Sequence, residues 1–296
     1  MVVAMNKQRL NVHLYVTPIC NLNCIHCYYE AKDVKYNIKN ILSIDDMKFI
    51  IKTLIDNYDA YFDIEGGELF LRNDINKLFN SLDKKYLQRL TLTTNGTINF
   101  DLKEKYLKNL DEFRISFEGD TNILQQQIRG IELDKPLNLA INLLKNQVMP
   151  TIRITIHKYN YKKIKQIINF FSSYGLKKFS FYEFIPVGRG EKHINLELDD
   201  KEFEVLAKQI KSLEYDDISY KFSFPKKRLE YFDNYLNISQ IPSLTINYNG
   251  DIGICPWQIG KDIFAKYNKE NFLNEIKKQE LIHSCNYCSS IRIINA

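Results

Sequence analysis

Apolar and polar positions alternate in six short segments of the first two thirds of the chain, and this spacing predicts strands. After most of these segments, apolar residues recur every three or four positions, as on one face of an amphipathic helix. The first such stretch follows Ser43, a residue type that often caps a helix. The predicted strands are Val12–Val16, Tyr61–Ile64, Leu90–Thr93, Phe113–Phe117, Ile152–Ile156 and Lys178–Phe184. The predicted helices are Asp45–Leu54, Ile75–Leu82, Leu102–Leu110, Leu137–Leu144 and Ile164–Phe171.

This succession of strands and helices predicts an α/β fold with a parallel sheet and right-handed crossovers. Six units fit an open (β/α)6 partial TIM barrel better than a closed barrel of eight. The units end near Gly190, and one charged helix, Leu196–Leu213, is predicted in the polar segment that follows. We therefore predict three parts: the partial barrel at 1–190, a helical bridging segment at 191–237 and a small C-terminal domain at 238–296.

Two short β-rich segments flank the turn Asn249-Gly250, beginning at Leu244 and ending at Cys255. Asn-Gly between such segments is a strong hairpin signal. We therefore predict a β-hairpin at the start of the C-terminal domain.

Composition narrows the functional classes. The chain of 296 residues is 45% hydrophobic and 26% charged, which is ordinary for a globular protein. No apolar run approaches the roughly 18 residues that a membrane span needs, and polar residues follow Val2–Met5 too soon for a signal peptide. The net charge of +5 is scattered except at Lys226-Lys227-Arg228, so a nucleic-acid partner is not expected. We predict a cytoplasmic protein with no membrane partner.

The six cysteines fall into two groups. Because the cytosol keeps thiols reduced, grouped cysteines favour metal ligation over disulfides. The first group is Cys20, Cys24 and Cys27, and the second is Cys255, Cys285 and Cys288.

The first group lies in the loop after the first predicted strand, where loops of a βα barrel form the active face. Three thiolates can hold three corners of a cubane iron–sulfur cluster and leave one iron open. The alternative is a structural zinc site, with His13 or His26 as the fourth ligand.

The stretch Cys20–Tyr28 is similar to the signature of the radical S-adenosylmethionine superfamily, including the ring-bearing His26 before the third cysteine. The resemblance implies a [4Fe-4S] cluster whose open iron chelates S-adenosyl-L-methionine. In that family, one electron cleaves this cofactor to a 5′-deoxyadenosyl radical, which abstracts a substrate hydrogen. It also implies a reducing partner such as flavodoxin or ferredoxin.

Turns at the ends of later strands resemble the same family. The resemblance implies that Gly66, Gly67 and Glu68 contact the methionine amino group, and that Ser116 contacts its carboxylate. Arg129 and Arg153 are further candidates for the carboxylate. Asn95 lies in the turn after the third strand, and Pro186 in the segment expected beside the adenine. No acid or base is assigned beyond the cluster, because Glu118 and Asp120 are as readily explained as solvated carboxylates.

The second cysteine group resembles a shortened SPASM/twitch extension, which carries auxiliary iron–sulfur clusters. The resemblance implies one auxiliary [4Fe-4S] cluster with three cysteine ligands, Cys255, Cys285 and Cys288, and a fourth site that is open or filled by another residue type. A zinc-ribbon-like site with His283 is the alternative. Trp257 is expected to shield this cluster.

The SPASM/twitch subgroup chiefly resembles enzymes that modify ribosomally synthesised peptides. We therefore predict a maturase that forms C–C or thioether crosslinks in a precursor peptide. Because the first strand begins near Asn11, we expect the barrel mouth or a separate leader-peptide recognition protein to grip that peptide. The alternatives are a twitch-type small-molecule dehydrogenase or rearrangement enzyme and, in another class, a non-catalytic zinc-binding scaffold.

Overall fold

The computed structural model describes residues 7–100, 103–232, 241–258, 260–279 and 291–294. The strands are β1 (Arg9–Tyr15), β2 (Asp59–Glu65), β3 (Leu90–Thr94), β4 (Glu112–Phe117), β5 (Thr151–Ile156), β6 (Lys178–Glu183), β7 (Ser219–Phe224), β8 (Ser243–Ile246), β9 (Asp251–Gly253), β10 (Ala265–Lys266) and β11 (Ile291–Ile294). The helices are α1 (Ile44–Asn57), α2 (Ile75–Asn80), α3 (Lys84–Leu87), α4 (Glu104–Leu107), α5 (Asn122–Arg129), α6 (Asp134–Lys145), α7 (Ile164–Ser172), α8 (Asp200–Lys211) and α9 (Phe272–Lys278).

One sheet of eleven strands contains all of these strands, in the order β10-β9-β8-β1-β2-β3-β4-β5-β6-β7-β11. The run from β8 to β7 is parallel throughout. The six predicted strands are confirmed as β1 to β6. The α/β fold and its mostly parallel sheet are therefore confirmed.

The segment predicted as a helical bridge contains a strand that the prediction missed. β7 pairs in parallel with β6, with Phe181 opposite Phe222. The charged helix predicted at Leu196–Leu213 is present as α8, but it begins only after Asp199, because a 3-10 segment covers Gly188–Leu196. Asp199 starts α8 there because its side chain and that of Glu202 form a reciprocal capping box.

The predicted hairpin is confirmed as the antiparallel pair β8 and β9. β8 also pairs in parallel with β1, with Leu14 opposite Ile246. The hairpin therefore extends the barrel sheet. A complete SPASM/twitch-like domain stays a prediction, since residues 280–290 lie outside the described ranges.

Alternation along the strands divides the sheet into two faces. One face packs apolar residues such as Leu14, Ile64 and Ile115 into a core beneath the helices. The opposite face, hereafter the polar face, carries His13, Asp63, Glu65, Arg114 and Arg153, which interact with one another. Among the described residues, no helix is long and apolar enough to span a membrane.

Candidate functional site

The loop between β1 and α1 carries Cys20, Cys24 and Cys27 at the carboxyl end of the parallel strands. The amide of Cys20 donates a hydrogen bond to the carbonyl of Lys32 at 2.8 Å, which fixes the start of the loop. The Cys20 sulfur accepts a hydrogen bond from the Leu22 amide at 3.4 Å. Donors of this kind favour a thiolate over a thiol.

Burial raises the pKa of Cys20 to about 11 and the pKa of Cys24 to about 12. Both groups therefore stay protonated at neutral pH in the absence of a cation. Metal ligation requires thiolates, so these sites need a positive centre to become ionised. The charge of Arg129 already acts in this direction, because it lowers the pKa of Cys24 against the effect of burial.

A turn of two glycines after β2 packs directly against the cysteine loop. The amide of Gly67 donates to the carbonyl of Thr17 at 2.8 Å. A Cβ atom on Gly67 would lie 1.9 Å from the Ile19 carbonyl oxygen, and one on Gly66 would lie 2.5 Å from the Thr17 carbonyl oxygen. Only glycine permits this close approach, which brings the end of β2 against the residues that precede Cys20.

Glu68 completes this turn from inside the protein. Its buried carboxylate accepts hydrogen bonds from the Asn95 amide at 2.7 Å and from the Thr94 hydroxyl at 2.8 Å. Burial raises the pKa of Glu68 to about 6, although these donors oppose the shift. Glu68 therefore ties the end of β2 to the end of β3 and orients the turn that carries Asn95.

Glu118, just after β4, is the centre of a buried charged cluster. Its carboxylate lies 2.6 Å from Arg129 Nε, 2.8 Å from His26 Nε2 and 3.1 Å from His157 Nε2. Burial alone would raise the pKa of Glu118, but the charges of His26 and Arg129 hold it well below its ordinary value. Glu118 is not the solvated carboxylate that the sequence suggested, because it is fully buried and fixes His26 between two cysteines.

Arg189 joins the segment after β6 to the cysteine loop. Its guanidinium donates to the carbonyl of Cys24 at 3.0 Å and to that of Ala31 at 2.7 Å. Its amide donates to the carbonyl of Cys27 at 3.0 Å. Arg189 was not among the predicted site residues, although it lies between Gly188 and Gly190 in the segment expected beside the adenine.

A second wall of the site consists of Tyr28, Glu65, Arg153, Tyr182 and Trp257, of which Glu65 and Tyr182 were not predicted to have a role. Tyr28 donates a hydrogen bond from its hydroxyl to Glu65 at 2.9 Å and packs edge-on against Trp257, with ring centroids 5.1 Å apart. The Arg153 guanidinium lies over the ring of Tyr182, 4.7 Å from its centroid. Glu65, Arg153 and Tyr182 lie at strand positions that alternate with buried apolar residues. This alternation is the sequence signal that could have grouped them on one face of the sheet.

One pocket at the carboxyl end of the sheet gathers most of these side chains. The first wall of this pocket is the cysteine loop with His26 and Arg129, and the opposite side is the second wall, which includes Trp257. The predicted site residues that line it are Cys20, Cys24, His26, Cys27, Gly66, Gly67, Asn95, Ser116, Arg129 and Arg153.

Three other predicted site residues lie elsewhere. Glu68 and Pro186 are not among the residues that line the pocket. Cys255 is buried, and its amide donates to the Asp262 carboxylate at 2.8 Å. Cys285, Cys288 and His283 lie outside the described residues.

The histidines proposed for a zinc site have other partners. His13 Nδ1 lies 2.7 Å from the Glu65 carboxylate, and His26 Nε2 is bound to Glu118. In the described part of the chain, no three histidine, cysteine or acidic side chains converge as ligands of one metal ion would. The site instead fits an iron–sulfur cluster in which each of the three cysteines binds a different iron. The Leu22 amide, which donates to the Cys20 sulfur, and the glycine turn that packs against the loop are consistent with such a cluster.

Two of the clustered basic residues, Lys227 and Arg228, are paired with acidic side chains. Arg228 is buried and donates to Glu183 at 2.7 Å and to Asp200 at 2.8 Å. Lys227 pairs with Glu197 at 2.8 Å. Arg228 therefore ties the end of β6 to α8 and presents no charge to a partner.

Among the curated proteins that are similar in sequence are Fe-coproporphyrin III synthase and a probable GTP 3′,8-cyclase. Fe-coproporphyrin III synthase of Methanosarcina barkeri is 29% identical over 194 residues, which cover 63% of this chain and 47% of that protein. A probable GTP 3′,8-cyclase of Sulfurisphaera tokodaii is 27% identical over 210 residues, which cover 68% of this chain and 65% of that protein. The matched region thus spans about half of the first protein and just under two thirds of the second.

Solved structures share the fold over more of the chain. Streptococcus suis SuiB bound to the precursor peptide SuiA has a TM-score of 0.72 and 20% identity, covering 93% of this chain and 65% of that one. Native anSMEcpe with bound AdoMet has a TM-score of 0.69 and 17% identity, and the match covers 93% of this chain and 82% of that one. At these identities the likeness is one of fold.

The match to a family model shows which protein family the chain belongs to. The model of the Radical SAM superfamily matches residues 14–197, which include the cysteine loop and all the strands from β2 to β6. The matched range contains every residue that lines the pocket except Trp257. The chain is therefore an enzyme of the radical SAM superfamily.

Proposed function

We propose that this enzyme modifies a ribosomally synthesised precursor peptide by forming a C–C or thioether crosslink. The observation that carries the proposal is the extent of the fold likeness: SuiB, solved with its precursor peptide, matches 93% of this chain. The curated sequence relatives cover only 63% and 68%. The likeness to a peptide-binding enzyme therefore continues past residue 197, where the family match ends. It supports membership of the SPASM/twitch subgroup.

Membership of the family implies a [4Fe-4S] cluster and S-adenosylmethionine. We assign the cluster to Cys20, Cys24 and Cys27, because the three line one pocket. We assign the surroundings of S-adenosylmethionine to most of the other predicted residues of that pocket. When bound, these groups supply an adenosyl radical that can remove a substrate hydrogen. The residues proposed for this environment are His26, Gly66, Gly67, Asn95, Ser116 and Arg129, whereas Arg153 lies beside Glu65 and Tyr182.

The protein contributes orientation and exclusion of water. Glu118 holds both His26 and Arg129, so one buried carboxylate aligns the cysteine loop with a cationic side chain of the pocket. Arg189 fixes the same loop from the opposite segment. Trp257 and Tyr28 close one side of the pocket with aromatic surface, which limits the access of water to the reacting groups.

We propose that Cys255, Cys285 and Cys288 hold an auxiliary cluster that accepts an electron or anchors the substrate. Cys255 is buried, and Trp257, two residues later, lines the pocket. This placement supports a link between an auxiliary site and the reaction. The proposal includes a flavodoxin or ferredoxin as reductant, a separate leader-peptide recognition protein and a cytoplasmic location.

The first test replaces Cys20, Cys24 and Cys27 together with alanine. We expect the variant to fold, because the loop lies outside the apolar core, and to lose 5′-deoxyadenosine formation entirely. The measurement is chromatography of the anaerobic reaction with S-adenosylmethionine and dithionite, together with iron and sulfide content. A matched variant with Cys255→Ala should keep cofactor cleavage. Cleavage by the triple variant at the wild-type rate would contradict the assignment of the cluster.

The second test concerns the substrate. A short peptide encoded beside the gene should lose two hydrogen atoms for each crosslink, seen by mass spectrometry after incubation with the reconstituted enzyme. The second candidate function is chemistry on a small molecule, which the named activities of the two curated relatives favour. An unchanged peptide, together with conversion of a small metabolite, would select that alternative.

A further inference from the structure

The inference concerns the side of the pocket that no cofactor motif accounts for. Glu65, Tyr28, Arg153, Tyr182 and Trp257 all line the same pocket as the cysteines. Of these, only Arg153 was a candidate for cofactor binding. Tyr28 and Trp257 close the pocket with aromatic surface, so Glu65 and Tyr182 are the residues that need a different explanation.

Glu65 has unused capacity to accept hydrogen bonds. Its carboxylate is buried and receives His13 at 2.7 Å and the Tyr28 hydroxyl at 2.9 Å. A carboxylate offers about four lone-pair positions, so two donors leave it incompletely satisfied. Arg153 Nη1 lies 3.9 Å from Glu65 Oε2, which is too far for a hydrogen bond.

Arg153 has unused capacity to donate. Its guanidinium lies over the ring of Tyr182 and makes no hydrogen bond to another described residue. By contrast, Arg114, on the neighbouring strand, donates to Asp63 at 2.7 Å and to Glu112 at 2.5 Å. Arg153 is therefore held by stacking and long-range charge, with its donors available to a ligand.

Two hydroxyls beside this pair also lack partners. Thr93 Oγ1, which belongs to the pocket lining, is buried with no hydrogen-bond partner in the described structure. Ser180 Oγ is likewise buried and unsatisfied; Ser180 is directly opposite Arg153 in the register of β5 and β6 but does not itself line the pocket. Buried polar atoms of native proteins are normally paired, so such atoms indicate a bound ligand or water.

The charges decide what kind of group fits. A ligand anion near Arg153 would be repelled by Glu65, and a ligand cation near Glu65 would be repelled by Arg153, because the two are only 3.9 Å apart. A neutral group that presents a donor beside an acceptor satisfies both residues without repulsion. A peptide amide has this chemistry, since its N–H can donate to the carboxylate while its C=O accepts from the guanidinium.

We propose that Glu65 and Arg153 form a clamp for a main-chain amide of the substrate. The inference rests on the proposed function, because it assumes that the substrate is a peptide. It assigns Arg153 to the substrate, whereas the family resemblance made it a candidate for the cofactor carboxylate. Recognition of an amide does not depend on the side chains that flank it, so the clamp positions a peptide without reading its sequence.

The test ranks small probes by saturation-transfer NMR on the anaerobic holoenzyme, with its cluster oxidised and S-adenosylmethionine bound. The probes are N-acetylalanine N-methylamide, acetate, methylammonium and alanine. We expect the wild-type enzyme to bind the amide about tenfold more tightly than either ion, the size of one charge-assisted hydrogen bond. Glu65→Gln should make acetate the preferred probe, Arg153→Gln should make methylammonium the preferred probe, and the double variant should remove both preferences.

Matched variants separate this outcome from loss of structure. Arg89→Gln removes a guanidinium that pairs with Asp59, away from the pocket, and should keep the wild-type ranking. If either glutamine variant fails to fold, Glu65→Asp and Arg153→Lys replace it. Each keeps its charge, so the amide should bind more weakly while the ranking stays the same. A changed ranking in these conservative variants would overturn the clamp.

Other results also overturn the proposal. One is a ranking that neither glutamine variant alters. Another is loss of S-adenosylmethionine binding in Arg153→Gln as large as that in Arg129→Gln, since Arg153 would then belong to the cofactor. Tighter binding of alanine than of the amide would identify a free amino acid instead of a peptide unit. If the ranking inverts as expected but no peptide is modified, the clamp stands and the proposed peptide maturation fails.

Discussion

Two buried carboxylates support opposite sides of the pocket, and their surroundings differ: Glu65 lines the pocket, whereas Glu118 lies behind His26 and Arg129, which line it. Glu118 is surrounded by three groups, with Arg129, His26 and His157 all within hydrogen-bonding distance. Glu65 has two such contacts and faces Arg153 across a gap of 3.9 Å. A carboxylate that is fully paired fixes its neighbours, whereas a carboxylate with spare acceptor positions can still bind a ligand. Under the proposed assignments, the fully paired carboxylate supports the cofactor side of the pocket, and the incompletely paired one belongs to the substrate side.

The largest expected effect follows from replacing the fully paired carboxylate. Glu118→Gln leaves Arg129 buried without a counter-charge, and loss of one partner from such a pair typically costs about 3–5 kcal/mol. We expect the free energy of unfolding to fall by that amount, measured by urea titration of the cluster-free protein. Binding of S-adenosylmethionine by the reconstituted protein should weaken as well.

Glu65→Gln is the matched control, because it changes a buried carboxylate with fewer contacts. Its free energy of unfolding should fall by only about 1 kcal/mol, the net value of one hydrogen bond. If the free energy of unfolding fell equally in Glu118→Gln and Glu65→Gln, the proposed difference between the two carboxylates would be contradicted.

An intermediate effect is expected at Arg189, which holds the cysteine loop through two carbonyl oxygens. Arg189→Ala should expose the amides of residues 20–32 to faster hydrogen exchange in the cluster-free protein and lower the iron content after reconstitution. Arg189→Lys restores one donor and should recover part of the protection. Unchanged exchange in the alanine variant would show that the loop is ordered without this contact.

The smallest effect concerns pH on the other wall. Burial alone would lower the pKa of His13, but the hydrogen bond and charge of Glu65 raise it above its ordinary value. A raised pKa stabilises the fold fully below the unfolded value of about 6.5, and this contribution is lost as the pH rises through the folded-state value. The free energy of unfolding should therefore decline with rising pH more steeply in the wild type than in His13→Gln.

The control for this slope is His193→Gln, because His193 belongs to the 3-10 segment after β6 and not to the polar face. Its pH dependence should match that of the wild type. Parallel pH profiles for the wild type and His13→Gln would contradict a stabilising His13–Glu65 pair.

Sequence patterns predicted the parts of the molecule that depend on local periodicity. The six strands of the barrel, the capped helix after Ser43 and the hairpin at Asn249-Gly250 all follow from alternation, capping and turn chemistry, and all are present. β7 was missed although Tyr220, Phe222 and Phe224 alternate as a buried face. Its polar neighbours and the charged helix before it concealed the alternation.

The site was predictable where a motif is contiguous and less so where partners are distant. Cys20, Cys24, Cys27 and the glycine turn stand out in the sequence because their chemistry needs close spacing. Glu118 gave no such signal, since its burial depends on His26, Arg129 and His157, which come from separate elements. Only the folded chain shows that this carboxylate is paired and that Glu65 is incompletely paired.

The pairing of β8 with β1 has a consequence for folding during synthesis. β1 bears the cysteine loop, yet one of its two edges is satisfied only by Ser243–Ile246, near the other end of the sequence. A nascent chain that has completed β1 to β7 still presents an open strand edge beside the future cluster site, and open edges promote association. Contacts of such long sequence separation form late. The strand that carries the cysteine loop therefore gains its second neighbour only after residues 243–246 have been synthesised.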